Sequence, residues 1–416
     1  MRLLVVGGGA REHALAWKLR GEGHQVLCAP GNGGTPQRLG VSADDLDGLA
    51  RVAREARIEL TIVGPEAPLA AGLVDRFAQR GLKAFGPTRA AGRLESSKVW
   101  SKAFLQRHGL PTARAEIAES DAQVRRQAEQ FGFPVVLKAD GLAAGKGVWI
   151  ARDPRDLEQA LAARHALGQA GARLLVEDHL DGVELSVLAF SDGHSLAVMP
   201  PARDYKRVGD ADAGPNTGGM GGYTWPSYAT PEVLGEVEAR ILRPTIQAMA
   251  AEGHPYRGVL YAGLMLTSDG PRVLEFNARF GDPEAQLILP LLDSSLLEVC
   301  LAVVEGRLEG TQPRWRQAAT CGVVLAAPGY PERPRVGDPI SGLDELPSDV
   351  LAFHAGTRMS QGALATSGGR VLTLVAAGES VAAARARVYA AAPVVRFAGV
   401  HYRSDIGVEA EALVTR

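Results

Sequence analysis

Two lysines on either side of a glycine-rich turn give the strongest chemical signal in the sequence. Lys138 follows the apolar run Val135–Leu137, and Lys146 stands between Gly145 and Gly147, after which a second apolar run begins. Ammonium groups beside flexible backbone N–H donors suit a triphosphate, which needs charge neutralisation and a fixed position. The segment lacks the G-x-x-x-x-G-K-[ST] pattern and leads into a strand, so it is not a P-loop. An inert surface hairpin rarely places a lysine inside an apolar strand, which disfavours that alternative.

A second pattern is typical of a metal and anion site. Glu275, Asn277 and Arg279 alternate along an extended segment, so we expect their side chains to project from one face of a strand. Two oxygen ligands on one face, completed by phosphate oxygens, are a common way to hold Mg²⁺. The guanidinium of Arg279 offers a planar fork for a carboxylate or a phosphate. The alternative is the ordinary polar face of an edge strand.

Three glycine-rich turns follow the first three predicted strands. Backbone N–H groups at a turn that opens a helix suit a phosphate, and a carboxylate at a strand end suits sugar hydroxyls. A dinucleotide fingerprint requires glycine where this chain has Glu12, so a nicotinamide oxidoreductase is disfavoured. Turn chemistry without a ligand remains an alternative for each turn taken alone. The residues that these turns offer to a ligand are Gly7, Gly8, Gly9, Asn32, Gly33 and Glu66.

Two further segments contain candidate binding residues with weaker signals. The strand end at Glu177–Leu180 could read an adenine edge through its backbone, and Glu184 could bind ribose hydroxyls. An ordinary acidic surface explains both equally well. Residues 203–223 form a long, polar, glycine-rich loop, which in a compact domain indicates function or disorder. Its aromatic residues and its proline-bracketed glycines favour an ordered wall of a substrate site over a disordered linker.

The composition indicates a soluble protein with several domains. A length of 416 residues exceeds one ordinary core, and 46% hydrophobic with 22% charged residues is a globular balance. The formal charge of −2 gives no overall attraction to nucleic acid or to anionic membranes. Cys28, Cys300 and Cys321 have neither metal-ligand spacing nor a disulfide framework, which favours buried thiols in a reducing compartment. We find no signal-peptide pattern and no membrane-length apolar run, so we expect a cytoplasmic protein.

Strand and helix signals divide the chain into three predicted domains. Their alternation in residues 1–98 predicts an α/β domain with a doubly wound parallel sheet, whose ligands bind at the carboxyl ends of the strands. Residues 99–312 mix strands and helices, among them a single helix predicted at Pro231–Glu252. Short strands and one helix in residues 313–416 predict a small α+β domain.

The motifs together resemble the glycinamide ribonucleotide synthetases, the phosphoribosylamine–glycine ligases of the ATP-grasp superfamily. The resemblance runs in order over about residues 1–410, and the lysine–glycine turn and the segment Asn216–Gly221 are its most specific parts. It implies that residues 99–312 are an ATP-grasp domain whose lid subdomain covers about residues 117–188. The matching segments are 11–14, 64–69, 138–147, 206–210, 214–221, 275–277, 279–284 and 323–357.

The resemblance also implies an activity and a set of site residues. The reaction would join glycine to 5-phosphoribosylamine with ATP and Mg²⁺ or Mn²⁺, in purine biosynthesis. The implied ATP contacts are Lys98, Lys138, Gly145, Lys146, Gly147, Glu177, Leu180 and Glu184. The implied metal ligands are Glu275 and Asn277, and the implied catalytic residues are Lys138, Lys146, Arg279 and Asp204. The implied substrate contacts are Gly7, Gly8, Gly9, Asn32, Gly33, Glu66, Asp204, Lys206, Asn216, Gly218, Gly219, Arg279 and Asp282.

The chain departs from the family pattern in two of these motifs. Gly8 and Ala10 stand where the first loop of the family usually has asparagine and glycine, which removes one side-chain donor. Asp178 and His179 replace the usual glutamate and phenylalanine, a change that backbone recognition of adenine tolerates. The implied partners are small molecules, with neither nucleic acid nor membrane, and we expect a monomer or a weak homodimer.

The expected chemistry is activation of a carboxylate followed by transfer to an amine. Glycine would attack the γ-phosphoryl group of ATP to give glycyl phosphate, and the amine of phosphoribosylamine would then displace phosphate. Two alternatives are another ATP-grasp ligase with a different acid or amine, and a non-catalytic nucleotide-binding regulator. The intact lysines and metal ligands disfavour the regulator.

Overall fold

Strands and helices alternate through the first part of the chain in the computed structural model, which describes residues 1–141 and 147–408. The elements are β1 (Arg2–Gly7), α1 (Ala10–Gly21), β2 (Gln25–Pro30), α2 (Leu46–Glu55), β3 (Leu60–Val63), α3 (Glu66–Ala70), α4 (Leu73–Gln79) and β4 (Ala84–Phe85). The strands are parallel, in the order β2-β1-β3-β4. Leu3 and Val5 pack on one face of β1 and Leu4 and Val6 on the other, so the sheet is covered on both faces. The predicted doubly wound parallel sheet is confirmed.

The three glycine turns meet at one edge of this sheet because β1 is paired in register with both neighbours. Gly7 lies opposite Pro30 and Val6 lies opposite Val63, so the three strands end at the same level. Backbone hydrogen bonds from Gly31 to Gly7 (3.1 Å) and from Gly64 to Val6 (3.1 Å) hold the turns together. The three turns therefore lie together at the carboxyl edge of the sheet, where ligands of such sheets bind, and contact of a ligand with them stays a prediction.

A small antiparallel sheet forms a separate layer. After α5 (Arg93–Ser96) and α6 (Lys98–Arg107), the chain builds β5 (Ala115–Ala118), α7 (Asp121–Phe131), β6 (Val135–Ala139), β7 (Val148–Ala151), α8 (Pro154–His165) and β8 (Leu174–Asp178). The strand order is β5-β8-β6-β7, and α7 and α8 cover an apolar face that includes Val135 and Leu137. Lys138 lies in β6, which confirms a lysine inside an apolar strand.

A nine-stranded sheet extends through the rest of the molecule. Its path is β16-β15-β9-β11-β14-β17-β21-β18, and β10 pairs with the C-terminal part of β9. Separate two-stranded ladders join β12 to β13 and β19 to β20. The strands, in chain order, are β9 (Val183–Asp192), β10 (Leu196–Val198), β11 (Ala202–Asp204), β12 (Arg207–Gly209), β13 (Ala213–Asn216), β14 (Gly221–Thr224), β15 (Arg257–Thr267), β16 (Gly270–Asn277), β17 (Ala319–Ala326), β18 (Val350–His354), β19 (Thr357–Ser360), β20 (Ala363–Thr366) and β21 (Arg370–Gly378). The helices are α9 (Pro231–Val237), α10 (Arg243–Ala251), α11 (Glu284–Ile288), α12 (Leu296–Glu305) and α13 (Val381–Ala391).

The small sheet is tied to the large one at the point where the chain enters it. Thr112 forms a parallel bridge to Val273 of β16, and the amide of Val273 donates to the carbonyl of Pro111 at 2.8 Å. The chain leaves the small sheet after β8 and begins β9 at Val183. Gly182 packs tightly against the backbone of Leu266 there. The small sheet is thus connected to the large one through residues 113–114 and 179–182.

The single helix predicted at Pro231–Glu252 is interrupted. A π-helical segment, Glu238–Leu242, separates α9 from α10. Pro244 follows this segment, and it has no N–H to donate to the preceding turn. The helical hydrogen bonds accommodate the missing N–H donor with one wider turn. The spacing of apolar residues continues through this turn, so the sequence pattern does not reveal the interruption.

The polar segment 203–223 is ordered and largely extended. It contains β12 and β13 as well as parts of β11 and β14, so the expectation of order is correct and the expectation of a long loop is wrong. Its role as a wall of a substrate site stays a prediction. The glycines and charges concealed the strands because these strands are short and their side chains are only partly buried. Within the described residues, no helix has both the length and the apolar character needed to cross a membrane. The three cysteines are buried free thiols.

Candidate active site

A cleft of about 1100 Å³ is lined by residues of the small and the large sheet. Most of the predicted site residues come together there, although they are distant in sequence. Gly145 and Lys146 lie outside the described residues. The predicted residues that line the cleft are Glu66, Lys98, Lys138, Gly147, Glu177, Leu180, Glu184, Asp204, Lys206, Asn216, Gly218, Glu275, Asn277, Arg279 and Asp282.

A second cavity of about 410 Å³ lies at the glycine-turn edge of the parallel sheet. Gly8, Gly9 and Asn32 line it from the first part of the chain. Its opposite side belongs to the C-terminal part of the chain, through residues 355–357, 367–368 and Arg370. Asp282 and Arg370 line both cavities, so the two cavities meet at this pair.

Three predicted glycines line neither cavity and are required for close packing. A Cβ at Gly7 would lie 2.6 Å from the side chain of Glu12, and one at Gly33 would lie 2.5 Å from Leu364. At Gly219, where φ is +110°, a Cβ would lie 2.6 Å from Pro283 and 2.7 Å from Asp204. These glycines therefore allow neighbouring segments of the site to pack closely together. Direct contact between them and a substrate stays a prediction.

Glu12 explains the glycine turn around it. Its carboxylate accepts a hydrogen bond from the Gly9 amide at 2.6 Å and pairs with the Arg11 guanidinium at 2.6 Å. Its side chain fills the space that side chains at Gly7 and Gly64 would occupy. Glu12 thus stabilises the turn from inside, and it occupies the position where a dinucleotide site would need glycine.

Asn32 is buried and its amide is engaged within the protein. The amide nitrogen donates to the carbonyl of Gly8 at 3.0 Å and to that of His354 at 2.6 Å. Its oxygen accepts from the Gly34 amide at 3.0 Å. Asn32 therefore links the first two glycine turns to the C-terminal part of the chain, and substrate binding by its side chain remains a prediction.

Glu177 is buried between two ammonium groups at the small-sheet side of the cleft. Its carboxylate lies 3.0 Å from Lys138 Nζ and 3.3 Å from Lys102 Nζ. Lys138 also donates to the carbonyl of Leu274 at 2.7 Å, which joins the small sheet to β16. Burial lowers the pKa of Lys102 to about 8, although Glu177 acts in the opposite direction. This cluster therefore places two ammonium groups and one buried carboxylate at the small-sheet side of the cleft, and their contact with a nucleotide stays a prediction.

Glu275 and Asn277 line the cleft from β16, in agreement with the alternation of the sequence. Burial acts to raise the pKa of the Glu275 carboxyl, but the ammonium groups of Lys206 and Lys98 outweigh it and hold the pKa low. Among the described residues, no group of three or more His, Cys, Asp or Glu side chains could hold a metal. An ionised carboxylate and an amide oxygen nevertheless fit Mg²⁺ or Mn²⁺ when phosphate oxygens complete the shell.

Arg279 is surrounded by acceptors. Its guanidinium lies 2.8 Å from Glu95, 3.5 Å from Glu66 and 3.0 Å from the Asn277 side-chain oxygen. Burial acts to lower the pKa of Arg279, but the carboxylates of Glu95 and Glu66 outweigh it and raise the pKa. Arg279 is therefore a fixed positive charge beside Glu275 and Asn277.

Asp204 and Lys206 face the cleft from the end of β11 and the residues after it. Burial raises the pKa of Asp204 well above its usual value, and the nearby Glu284 carboxylate adds to the effect. The Oδ1 atom of Asp204 is buried without a hydrogen-bond partner. Lys206 pairs with Glu184 at 3.0 Å, which raises the pKa of its ammonium. The cleft thus contains an acceptor that a bound cation would satisfy.

Arg370 and Asp282 form an ion pair of 3.2 Å at the junction of the two cavities. Arg370 also donates to the carbonyls of Gly218 at 2.5 Å and Asp282 at 3.0 Å. Burial acts to raise the pKa of Asp282, but Arg370 and Arg11 outweigh it and lower the pKa. Arg370 is the one cation that lines the second cavity among residues 1–141 and 147–408.

Three residues of the site, Lys102, Glu95 and Arg370, were not among those predicted from the sequence. Lys98 and Lys102 are four residues apart in α6 and share one helix face, which is a signal that the sequence offers. Arg370 follows two glycines and opens a strand, which is a weaker signal. Glu95 has no local signal, because its partner Arg279 is distant in sequence.

Comparisons with known proteins show one family over most of the chain. The family descriptions that match are the phosphoribosylglycinamide synthetase N domain (residues 1–95), its ATP-grasp (A) domain (96–285) and its C domain (320–409). The phosphoribosylamine–glycine ligase of Vibrio vulnificus strain CMCP6 is 46% identical over 99% of both chains. The enzyme of that name from Ralstonia nicotianae is 47% identical over 98% of this chain and 99% of its own.

Solved structures show the same relationship. The crystal structure of the phosphoribosylamine–glycine ligase of Thermotoga maritima superposes with a TM-score of 0.83 and 35% identity, over 98% of this chain and 100% of that chain. A biotin carboxylase domain from Hydrogenobacter thermophilus, at 18% identity over 96% of this chain and 91% of that chain, shares the fold with a TM-score of 0.73. The three matching family descriptions and the full-length relatives lead to one conclusion: the chain belongs to the phosphoribosylglycinamide synthetase family.

Proposed function

We propose that the protein is an ATP-dependent ligase that joins glycine to 5-phosphoribosylamine in purine biosynthesis, with release of ADP and phosphate. The observation that carries the proposal is the cleft, which brings the ionised Glu275 together with Lys206, Lys98 and Lys138. Several ammonium groups around one carboxylate that could bind a metal ion suit phosphoryl transfer. The full-length family match supports the identity of the acid and the amine.

In the proposed complex, ATP enters between the small sheet and β16. Its adenine lies against the backbone near Leu180, and its phosphates lie beside Lys138 and Lys98. Glu275 and Asn277 would hold Mg²⁺ or Mn²⁺, which supplies charge neutralisation on the phosphates. Because Lys138 is paired with Glu177 in the structure, binding of a phosphate exchanges one anionic partner of Lys138 for another.

Glycine would lie between Asp204 and Arg279. The glycine ammonium satisfies the unpartnered Oδ1 of Asp204, and Arg279 faces the carboxylate end. A carboxylate oxygen of glycine attacks the γ-phosphorus, and the bond to the bridging oxygen of ADP breaks. The fixed charge of Arg279 stabilises the acyl phosphate, and exclusion of water from the cleft would protect it from hydrolysis.

The phosphoribosylamine would extend from the second cavity into the cleft. Its phosphate accepts from backbone N–H groups at the glycine turns and from Arg370, the one cation found there among the described residues. Its amine nitrogen attacks the acyl carbon of glycyl phosphate. The C–O bond to phosphate then breaks, and the nitrogen loses one proton to the departing phosphate.

An ADP-release assay that omits each substrate in turn tests the proposal. The phosphoribosylamine is formed in the assay from ribose 5-phosphate and ammonia because it is short-lived. ADP formation that requires both glycine and the amine, with a glycinamide product identified by mass spectrometry, is the expected result. ADP formation with a different acid or amine, or ATP binding without turnover, would overturn the proposal.

A further inference from the structure

The polar segment 203–223 contains a hairpin whose strands do not belong to the large sheet. This wall hairpin, Arg207–Asn216, consists of β12, β13 and the turn between them, and its strands pair only with each other among the described strands. An isolated two-stranded hairpin is marginally stable in water, so it needs anchors to keep one position. Its turn is also strained, because Ala211 (φ 52°) and Asp212 (φ 54°) adopt the left-handed conformation that disfavours side chains.

A short C-terminal segment provides these anchors. The segment His401–Gly407, named here the clasp, lies along the wall hairpin and bonds to its backbone and side chains. The contacts are His401 Nε2 with the Val208 carbonyl (2.8 Å), the Ser404 amide to Asp210 (2.8 Å) and the Ala211 amide to Asp405 (2.8 Å). The Gly407 amide also donates to the hydroxyl of Tyr205 (3.0 Å), which precedes the hairpin.

Arg403 is the centre of the clasp. Its side chain is 1% exposed, and it donates to Asp212 at 2.7 Å and to the Arg207 carbonyl at 3.1 Å. Two further hydrogen bonds of 2.7 Å join it to Asp405, and its guanidinium lies 4.7 Å from the ring centroid of Tyr205. A planar guanidinium makes these contacts at once, which one ammonium group cannot do.

The wall hairpin in turn fixes residues of the cleft. The Thr217 amide and hydroxyl donate to the Lys206 carbonyl at 2.7 and 2.8 Å, which closes the base of the hairpin. Lys206 is thereby held against Glu184, and Asn216 is held at the cleft surface. Displacement of the hairpin would carry these groups away from the substrates.

We infer that Arg403 is a positioning residue, which holds the wall hairpin so that Lys206 and Asn216 face the substrates. The inference rests on the proposed function for its kinetic part, whereas its structural part concerns the hairpin alone. Arg403 touches no reacting atom in this scheme. Its removal acts by releasing the hairpin.

Trypsin cleavage and steady-state kinetics test the inference together. The variants are Arg403→Ala, Arg403→Lys and Asp212→Ala; the last removes the hairpin partner of Arg403 from a largely exposed position, so it tests the contact if Arg403→Ala does not fold. The matched control is Arg396→Ala, which breaks the exposed Arg396–Glu345 ion pair of 2.8 Å in the same part of the chain. Cleavage after Lys206 and Arg207 is mapped by mass spectrometry well below the unfolding temperature.

We expect Arg403→Ala and Asp212→Ala to increase cleavage in the hairpin about tenfold or more, because release of a local contact raises the population of open states. KM for glycine should rise by a similar factor with a smaller change in kcat, Arg403→Lys should restore part of both, and Arg396→Ala should match the wild type. Wild-type protection of the hairpin in both variants would overturn the inference, as would increased cleavage with unchanged KM. An inactive wild-type protein would refute the proposed function, and the protease result would still decide the structural part.

Discussion

At the scale of single residues, the site depends on charges that burial alone would not allow. Glu177 is buried between Lys138 and Lys102, and Glu275 is kept ionised by surrounding ammonium groups. Buried carboxylates and ammonium groups are stable when they are paired. Removal of one partner leaves the other as an unpaired buried charge, which carries the full desolvation penalty. Ligand binding can therefore exchange partners within the cleft without leaving a bare charge.

Lys138→Met should abolish most of the activity. The variant removes a positive charge from the phosphates and leaves Glu177 with Lys102 as its ammonium partner. Loss of one preorganised charge in a closed site costs on the order of 100-fold or more in kcat/KM. ADP release measures the effect, and Lys83→Met, which breaks an exposed ion pair with Glu305, is the control. Near-normal turnover of Lys138→Met would remove Lys138 from the proposed mechanism.

The sequence identifies some of these residues and not others for a physical reason. The alternation of Glu275 and Asn277 is a local consequence of strand geometry, so it is readable without the fold. Lys138 is conspicuous because a lysine seldom lies in an apolar strand. Arg370 becomes a site residue only because β21 reaches the junction of two cavities, and no local pattern encodes that position. The roles assigned to all of these residues stay predictions.

At the scale of elements, short segments place the cleft residues by close backbone approach. The turn at Gly219 lies between β13 and β14, and it presses against Asp204 and Pro283. A positive φ and a contact this close both require glycine. The parallel sheet and the strand of Lys138 were predictable from periodicity, whereas β12 and β13 were concealed by their polar residues and the break before α10 by an unbroken apolar pattern.

Gly219→Ala should reduce activity while the fold persists. The new Cβ forces the turn away from Asp204 and Pro283, and the left-handed backbone adds strain of about 1–3 kcal/mol. We expect kcat/KM to fall about tenfold or more, since small displacements of positioning groups have effects of this size. Gly235→Ala in α9, where a Cβ meets no atom within 4 Å, is the matched control. Equal activity of the two variants would contradict the role of the turn.

The contact between α1 and β18 should make stability depend on pH. The His354 amide donates to His13 Nδ1 at 2.8 Å, and the rings lie 5.2 Å apart. Burial, with smaller contributions from His354 and Arg20, lowers the pKa of His13 to about 3. Burial also lowers the pKa of His354 to about 4. Both rings are therefore neutral in the folded protein at pH 7.

The unfolded chain binds protons at these histidines more readily, so stability is lost as pH falls below about 6.5. At pH 5 the expected loss is about 2 kcal/mol for each histidine relative to pH 7 or above. Urea denaturation between pH 7 and 5 measures it, and His13→Gln should reduce the slope. His165→Gln, at an exposed position, should retain the wild-type slope. A slope unaffected by His13→Gln would contradict the assignment.

At the scale of the whole molecule, one sheet joins the cleft to the C-terminal part of the chain. β14 pairs with β17, so the nine-stranded sheet runs across the predicted boundary between residues 312 and 313. The three predicted domains remain a prediction about organisation, although three family descriptions match successive parts of the chain. Pairing between distant strands has no signature in local periodicity, so the sequence could not reveal the continuous sheet.

Arg370→Ala should affect the phosphorylated amine more than the nucleotide. Arg370 comes from the C-terminal part and completes the second cavity, where we place the substrate phosphate. We expect KM for phosphoribosylamine to rise about tenfold or more, since a charge-assisted hydrogen bond contributes roughly 1.5–3 kcal/mol. KM for ATP should change less. Arg387→Ala on α13 is the control, and equal losses for both substrates would contradict a phosphate-specific role.

The connection between the two sheets determines where the protein can bend. Because Thr112 is bridged to Val273 and Gly182 is packed against Leu266, both ends of the small sheet are pinned to a stiff platform. We expect an opening of the cleft to bend residues 113–114 and 179–181, which connect these two pinned points to the small sheet, and to break the hydrogen bond from Lys138 to the Leu274 carbonyl. Substitutions that make the backbone of these connecting residues more rigid would slow the exchange of nucleotide. They would leave the rates of the chemical steps unchanged.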